Sequence, residues 1–265
     1  MPDLEMPHNG VMWAWQNRES IHAFLQEPDH LVIVPTGATE QHGPHLPPVV
    51  DGFLATSVAA AAARQAETRV LVAPTMTIGV SKHHARFPGT VWLQPQTFRS
   101  MALDVASSLA EAGVKRVLFL NGHGGNSATL AETAYTWGAH HQNSACRVYT
   151  ANYWMLSPLP KEELLPWGPG TTGHAGALET SLMLHLASDS VGAFKEADPT
   201  PVFSHVGFAP DLLDGSTVEA WTDFAVLSSN GVVGRPSQAS AEHGSRAFQS
   251  FVDGLVIWIQ QTTQR

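Results

Sequence analysis

The sequence predicts one α/β domain over residues 1–265, built as a three-layer α/β/α sandwich around a mostly parallel sheet. Short apolar runs alternate with helical stretches along the chain, and this order is typical of parallel strands joined by crossover helices. The 265 residues, 43% of them hydrophobic, are enough for one large core. Neither a linker nor an internal repeat divides the chain, which favours a single domain.

The predicted strands are short runs rich in Val, Ile and Leu. Each is followed by residues typical of turns, mostly Gly, Pro or Asn-Gly. Because the runs are continuously apolar, we expect the strands to be covered by helices on both faces. The four predicted strands cover 30–37, 70–79, 115–122 and 147–154.

The predicted helices lie between and after these strands, and they show either an alanine-rich composition or an amphipathic period. Helix 96–113 ends on a glycine, a common C-terminal signal. Segment 155–176 is predicted as a long loop and segment 189–240 as irregular, since both are rich in turn residues and lack a period. The other predicted helices are 53–66, 127–142, 177–187 and 242–262.

The composition excludes several classes of protein. There are 14 Lys and Arg against 23 Asp and Glu, with no basic run, so a nucleic-acid partner is not expected. No signal peptide or apolar stretch of about 20 residues is present, so no membrane segment is expected. The lone Cys146 fits a cytoplasmic protein. Fourteen histidines make metal binding worth testing.

The first chemical motif, TGATEQHGPHLPPVVD at 36–51, follows the first predicted strand. Glu40 and His42 are two residues apart, so an extended backbone places both side chains on the same side. Asp51 comes after a Pro-rich turn that can bring it back to them. Two carboxylates and an imidazole suit a divalent metal such as zinc or manganese. The alternative is a polar surface loop with incidental histidines.

Two further motifs also lie at a strand end or a helix start. In LFLNGHGGNSA (118–128), His123 stands at the apex of a Gly-rich turn; this turn could instead hold an anion, although it matches no phosphate-loop spacing. In GTTGHAGALETSLML (170–184), His174 lies in a loop and Glu179 begins a helix, where an acid often only compensates the helix dipole. Of the adjacent His83 and His84, we expect at most one to face the pocket.

Together these residues resemble the creatininase (creatinine amidohydrolase) family. The likeness is carried, in the family's order, by TEQHGPHLP with Asp51, FPGT (87–90), NGHGGN (121–126) and HAGALETS (174–181). It continues more weakly through GVVGRPSQASAEHG (231–244). The resemblance implies an α/β/α fold, a binuclear metal centre, hydrolysis of an amide or related C–N bond, and a homohexamer.

The resemblance also implies roles for individual residues. Asp51 matches the carboxylate that bridges the two metal ions, and His174 matches a histidine that moves protons in the reaction. His84 is expected to line the substrate pocket because of its position after the second predicted strand, independently of the resemblance. The matched metal ligands are Glu40, His42, Asp51 and His123, and the matched Tyr-Trp pair near the substrate is Tyr153 and Trp154.

Two positions depart from creatininase itself. Gly125 stands where creatininase has a metal-binding glutamate, and Gly170 stands where it has a tryptophan over the substrate, with Trp167 only nearby. Glu179 is therefore our candidate to complete the second metal site and to orient the nucleophile. Because of both departures, we expect creatinine to be a poor substrate.

The sequence thus predicts a metal-dependent amidohydrolase that hydrolyses a C–N bond of a small, cyclic amide with a metal-activated water. Two divalent ions per chain are expected, zinc first, with manganese or iron as alternatives. His174 would protonate the leaving nitrogen. Alternatives within the family are a formamide deformylase, a peptidase or a cyclic-ketone hydrolase. An alternative of another class is a non-catalytic metal-binding scaffold, whose site would be closed by four protein ligands.

Overall fold

The computed structural model of the protein describes residues 10–164, 166–168, 170–199 and 220–263. Four parallel strands form its sheet in the order β2-β1-β3-β4. This confirms the predicted parallel sheet. The prediction of one domain over 1–265 includes residues outside the described ranges and stays a prediction. The strands are β1 Leu31–Thr36, β2 Val70–Val72, β3 Arg116–Asn121 and β4 Arg147–Asn152.

Strand β2 is much shorter than the predicted run of 70–79. The chain still follows β1 beyond Val72, because the Ala73 N–H donates to the Ile33 carbonyl at 2.8 Å and the Met76 N–H to the Pro35 carbonyl at 2.9 Å. Pro74, between these two donors, has no N–H, so a regular ladder cannot continue through it. The predicted strand is therefore correct in place and too long.

Helices cover both faces of the sheet, which confirms the predicted three layers. On β1, Leu31 and Ile33 face a cluster with α2, α6 and α8, whereas Val32 and Val34 face a cluster with α3 and α4. This alternation follows from the period of two in a strand. No helix in the described ranges is long and apolar enough to cross a membrane. The helices are α1 Arg18–Gln26, α2 Val50–Gln65, α3 Pro95–Glu111, α4 Ser127–His140, α5 Lys161–Leu164, α6 Ala177–Leu186, α7 Phe224–Leu227 and α8 Ala241–Thr263.

The five predicted helices are confirmed within a few residues, and three others were not predicted. Helix α1 begins after Asn17, whose side chain accepts a hydrogen bond from the Ser20 N–H at 2.9 Å, a standard N-cap. Helices α5 and α7 lie in segments predicted to lack regular structure. Part of the irregular segment 189–240, residues 200–219, lies outside the described residues.

Helix α2 begins three residues earlier than predicted. Asp51 is therefore in the first turn of a helix and is not in the Pro-rich turn itself. Gly37 and Gly122, which follow β1 and β3, let this turn approach closely: a Cβ on Gly37 would lie 2.3 Å from the Gly52 nitrogen, and one on Gly122 would lie 2.2 Å from the Asp51 carbonyl oxygen. The two glycines thus allow Asp51 to sit against the carboxyl ends of β1 and β3.

Candidate metal centre

The five residues predicted as metal ligands lie together at the carboxyl ends of the strands. They come from the loop after β1, the first turn of α2, the turn after β3 and the first turn of α6. All are at most 4% exposed. Buried charges are expensive unless they are paired or bind a metal, so this cluster needs a partner for its charges. The five residues are Glu40, His42, Asp51, His123 and Glu179.

Asp51 stands between two histidines. Its Oδ1 lies 3.1 Å from Nε2 of His42, and its Oδ2 lies 3.1 Å from Nδ1 of His123. Nδ1 of His123 also lies 3.2 Å from Oε1 of Glu40. A carboxylate with one oxygen toward each of two imidazoles has the arrangement needed to bridge two cations.

Backbone carbonyls orient both imidazoles. Nδ1 of His42 lies 3.0 Å from the Glu40 carbonyl oxygen, and Nε2 of His123 lies 3.2 Å from the Val80 carbonyl oxygen. Each of these nitrogens can donate its proton to that carbonyl, which leaves the other ring nitrogen facing Asp51. Metal-binding histidines usually have such a partner on the nitrogen away from the metal.

Several atoms in the cluster are buried without a hydrogen-bond partner. They include Oε2 of Glu40, Nε2 of His42 and Oδ2 of Asp51. The 3.1 Å approach of His42 to Asp51 is not aligned as a hydrogen bond. A buried polar atom left unpaired costs about 1–3 kcal/mol, and bound cations would give these atoms partners. The residues therefore fit divalent metal ions.

The ligand atoms form three overlapping groups, in each of which all atoms lie within 4.8 Å of one another. One group contains Asp51, the residue predicted to bridge the two metal ions. The groups are His42, Asp51 and Glu179; Glu40, His83 and His123; and Glu40, His42 and His174.

Glu179 reaches the cluster from the first turn of α6. Its Oε2 accepts a hydrogen bond from the Ala175 N–H at 2.6 Å and lies 3.8 Å from Nε2 of His42. Ala175 has a φ of +54°, a left-handed conformation that is strained for any residue except glycine. The structure thus brings Glu179 to His42 and Asp51, where the missing ligand was expected.

Gly125 has no room for a side chain. A Cβ there would lie 2.4 Å from the Val80 carbonyl oxygen and 2.5 Å from Nε2 of His123. In this chain a carboxylate cannot enter the site from position 125 without moving the Val80 carbonyl and His123. Glu179 approaches from another element, which is consistent with it taking over that place.

His174 lies in direct contact with the cluster. Its Nε2 donates to the Gln41 carbonyl oxygen at 2.7 Å, and its Nδ1 lies 3.4 Å from Oε1 of Glu40. The ring is 4.3 Å from the ring of His42. His174 can therefore either exchange protons at Nδ1 or offer Nδ1 to a metal.

The expectation that at most one of His83 and His84 faces the pocket is wrong. Nε2 of His84 lies 3.7 Å from Oε1 of Glu40, and the His83 ring stacks on His123 at 5.6 Å. Both residues lie in a short 3₁₀ helix, Lys82–His84, around which the site curves, so adjacent side chains can both reach it. Burial, together with the charge of His123, lowers the pKa of His83 to about 3. Burial and the neighbouring imidazoles also hold the pKa of His84 well below its usual range.

Tyr153 and Trp154 lie in the core beneath the site. Tyr153 is fully buried, and its ring packs against Phe251 of α8 at 5.4 Å and against Trp154 at 5.2 Å. Burial raises the pKa of Tyr153, and the carboxylates of Glu179 and Asp51 raise it further, which places this ring near both. Contact of either ring with a substrate stays a prediction.

The aromatic residue over the histidines is Phe224 of α7. Its ring lies 4.0 Å from that of His84, 5.1 Å from that of His83 and 5.4 Å from that of His174. Arg86 lies 3.4 Å from the carboxylate of Asp223, the residue before α7. This ion pair links α7 to the histidine segment, which we define as residues 82–86. Sequence reasoning missed Phe224, since a single Phe in an irregular segment gives no signal.

Trp167, the aromatic residue noted near Gly170, instead packs on His243 of α8 at 4.9 Å.

Opposite charges set the pKa values in the cluster. Burial alone would raise the pKa of Asp51, but the charges of His42 and His123 hold it below its usual range. Burial alone would lower the pKa of His42 and of His123. The carboxylate of Asp51 raises the pKa of His42 well above the usual value, and the carboxylates of Glu40 and Asp51 do the same for His123. Burial raises the pKa of Glu40. In the absence of metal these shifts favour the protonated form of both histidines.

Comparison with known proteins shows that almost the whole chain matches the creatininase family. The profile of the creatininase family, described as creatinine amidohydrolase, matches residues 16–259. A mycofactocin precursor peptide peptidase of Mycobacterium tuberculosis is 30% identical over 237 residues, covering 85% of this chain and 82% of that protein. A creatinine amidohydrolase of Pseudomonas putida is 31% identical over 185 residues, covering 65% and 70%. The structure of a manganese creatininase superposes with a TM-score of 0.80 at 26% identity, covering 96% of this chain and 99% of that one.

Proposed function

The chain belongs to the creatininase family of hydrolases, and we propose that it is an amidohydrolase that uses two divalent metal ions, zinc first, to hydrolyse a C–N bond of a small, cyclic amide. The observation that carries this proposal is the cluster of buried carboxylate and imidazole atoms that face one another without hydrogen-bond partners. A structural role alone does not account for it, because folding would be more stable with these atoms paired or replaced by apolar groups.

The distances support two ligand sets that share Asp51. Its Oδ2, with Nδ1 of His123 and Oε1 of Glu40, would hold one ion. Its Oδ1, with Nε2 of His42 and the carboxylate of Glu179, would hold the other. Three protein ligands for each ion leave positions open, as catalytic sites require.

When bound, such ions lower the pKa of water toward neutrality and polarise a carbonyl group. The chain supplies the remaining functions. His174 has a lone pair at Nδ1 when its Nε2 proton is held by the Gln41 carbonyl, so it can take the proton from the attacking water and pass it to the leaving nitrogen. Phe224 limits the access of bulk water to the histidines beneath it.

A short peptide is the second candidate substrate. It is supported by the 30% identity to the mycofactocin precursor peptide peptidase over most of both chains. Creatinine is disfavoured, since Gly125 cannot carry the ligand that creatininase has there and Gly170 carries no aromatic cover. We expect a creatinine turnover well below the 10 s⁻¹ or so of a typical enzyme.

The proposal is tested by metal analysis of the purified protein together with a turnover screen. The screen should contain lactams, hydantoins, formamides, cyclic ketones and short peptides. We expect close to two divalent ions per chain and hydrolysis of a C–N bond that stops when a chelator is added and returns with Zn²⁺ or Mn²⁺. Full metal content without turnover of any compound would favour a non-catalytic metal-binding scaffold.

We further propose that the protein is a cytoplasmic homohexamer acting on a small molecule, as the resemblance implies. Sedimentation velocity of the purified chain is expected to give a mass six times its 28.5 kDa. A monomer at micromolar concentration would contradict the hexamer.

A further inference from the structure

Gln41 lies between the predicted ligands Glu40 and His42, and neither the metal sites nor the proposed reaction uses its side chain. Its side chain is buried and contacts three separate parts of the chain. These are the histidine segment at His84, the loop at His174 and the loop at Gly231. An amide group that is hydrogen-bonded to a histidine of the site can determine which ring nitrogen carries the proton.

Two backbone groups determine the orientation of the Gln41 amide. Oε1 accepts a hydrogen bond from the Gly43 N–H at 2.8 Å, and Nε2 donates to the Gly231 carbonyl oxygen at 2.9 Å. A flipped amide would set oxygen against oxygen and N–H against N–H. The NH₂ group therefore faces Gly231 and His84, and the positions of its hydrogens follow.

The second hydrogen of this NH₂ group points to His84. Nδ1 of His84 lies 2.8 Å from Nε2 of Gln41 and must accept, because the amide nitrogen has no lone pair to offer. The proton of a neutral His84 is then on Nε2, the atom 3.7 Å from Oε1 of Glu40.

In His174 the free lone pair is on Nδ1 and the proton on Nε2, and the contacts of its Nε2 show why. Its Nε2 lies 3.1 Å from Nε2 of Gln41, but both hydrogens of that amide are already used. The same ring nitrogen lies only 2.7 Å from the Gln41 carbonyl oxygen, to which it donates. The proton of His174 is then on Nε2, and the lone pair of Nδ1 faces Oε1 of Glu40 at 3.4 Å.

We propose that Gln41 is a positioning residue that gives opposite tautomers to His84, through its side-chain amide, and to His174, through its backbone carbonyl, so that a proton donor and a proton acceptor face the same point of the site. The two rings are 4.2 Å apart. In the proposed function, on which this use of the tautomers rests, Nδ1 of His174 takes the proton of the attacking water and releases it to the leaving nitrogen. His84 keeps its Nε2 proton and donates a hydrogen bond to the substrate oxygen that gains negative charge.

The backbone of the loop at Gly231 packs closely against the Gln41 amide. Gly231 has a φ of +83°, and a Cβ there would lie 2.0 Å from Oε1 of Gln41. Glycine is therefore required for the carbonyl of residue 231 to reach Nε2 of Gln41. This accounts for the glycine that opens GVVG, part of the weaker stretch of family resemblance.

The tautomers can be measured by ¹⁵N NMR of Zn²⁺-loaded protein containing ring-labelled histidine, with the His84 signals assigned from their loss in His84→Gln. In the wild-type protein we expect an unprotonated Nδ1 and a protonated Nε2 for His84. A protonated Nδ1 would overturn the proposal. The spectra need no substrate, so they are decisive whether or not the proposed function holds.

Gln41→Glu then tests whether Gln41 is the cause. The carboxylate still accepts from Gly43 but cannot donate, so the His84 proton should move to Nδ1. An unchanged His84 spectrum would show that another group sets the tautomer. If Gln41→Glu does not fold, Gln41→Met serves instead and should give a mixture of both His84 tautomers. Gln96→Glu, an exposed position on α3, is the matched control and should leave the spectrum unchanged.

With a substrate from the screen, Gln41→Glu should lower kcat about 10²-fold, within the range found for acid–base groups, and change KM much less. Gln96→Glu should leave both constants unchanged. A Gln41→Glu enzyme with a switched His84 tautomer and unchanged kcat would overturn the use of the tautomers in the reaction.

Discussion

Asp51 and the histidines on either side of it decide the chemistry of the site at the scale of single residues. Each imidazole has one nitrogen occupied by a backbone carbonyl and the other directed at a carboxylate. The backbone thus determines which nitrogen is offered to a ligand. Because the carboxylates raise the pKa of both histidines, protons and metal ions compete for the same two atoms.

This competition predicts a pH dependence of metal binding. A metal ligand must be a neutral imidazole, and in the metal-free protein His42 and His123 have a pKa well above the usual value. Binding should therefore release protons at pH 7, and the affinity for Zn²⁺ should fall as the pH is lowered. Calorimetric titration in two buffers of different protonation enthalpy should give at least one proton released per ion bound. Binding without proton release would contradict these pKa shifts.

His174→Ala separates proton transfer from metal binding. If His174 exchanges protons at Nδ1, the variant should keep its metal and lose roughly 10²- to 10⁴-fold in kcat. If His174 is a metal ligand, which its 3.4 Å distance from Glu40 permits, metal content should fall in step with activity. The measurement is metal analysis and kcat on the same preparation, with His185→Ala on α6 as the control. Near-native activity would leave His174 with a packing role only.

At the scale of elements, tight turns bring the functional side chains together. Gly37 and Gly122 let the first turn of α2 approach the strand ends, and Gly125 lets the turn after β3 pass the Val80 carbonyl and His123. The side chain of Asn126 adds to this: it accepts from the Val80 N–H at 2.9 Å and donates to the Gly37 carbonyl at 3.0 Å. The loops after β1, β2 and β3 are thereby held together.

Gly125→Ala is expected to destabilise both the fold and the metal site. Its Cβ would lie 2.4 Å from the Val80 carbonyl oxygen, and relieving such overpacking costs about 1–3 kcal/mol. Gly138→Ala is the matched control, because Gly138 lies in α4 with nothing within 4 Å of an added Cβ. It should stabilise by about 0.5–1 kcal/mol. Denaturant unfolding of both variants measures this, and a Gly125→Ala variant as stable as wild type would show that the turn can move.

Sequence patterns predicted those elements whose signal is local. The four strands and the five long helices have an apolar run or a period, and their order alone implies the layers. Helix α1 also carries a local signal, with an N-cap at Asn17 and Ile21, Phe24 and Leu25 at helical spacing, and it was missed. Asp51 was predicted to follow the Pro-rich turn but was left outside the helix, because Pro47 and Pro48 obscure where α2 begins. Phe224 and Gln41 gave no signal, since their roles depend on contacts between residues far apart in the chain.

For the whole molecule, the strand order explains the position of the site. The central strands β1 and β3 lie side by side, and the chain leaves both at the same edge of the sheet. Ligands in such α/β folds bind beyond the carboxyl ends of the strands, where loops from neighbouring strands meet. Motifs 36–51 and 118–128 extend from the ends of β1 and β3, the pair His83 and His84 follows β2, and motif 170–184 reaches the same edge through the start of α6.

The central claim is that these loops build one metal centre with Asp51 between two ions. Elemental analysis of Asp51→Asn, which keeps the shape of the side chain and removes its charge, tests it most directly. The wild-type protein, purified and reloaded with Zn²⁺, should hold close to two ions per chain. Asp51→Asn should hold at most one, while Asp104→Asn, an exposed control on α3, should match wild type. Two tightly bound ions in Asp51→Asn, or none in the wild-type protein, would contradict the account.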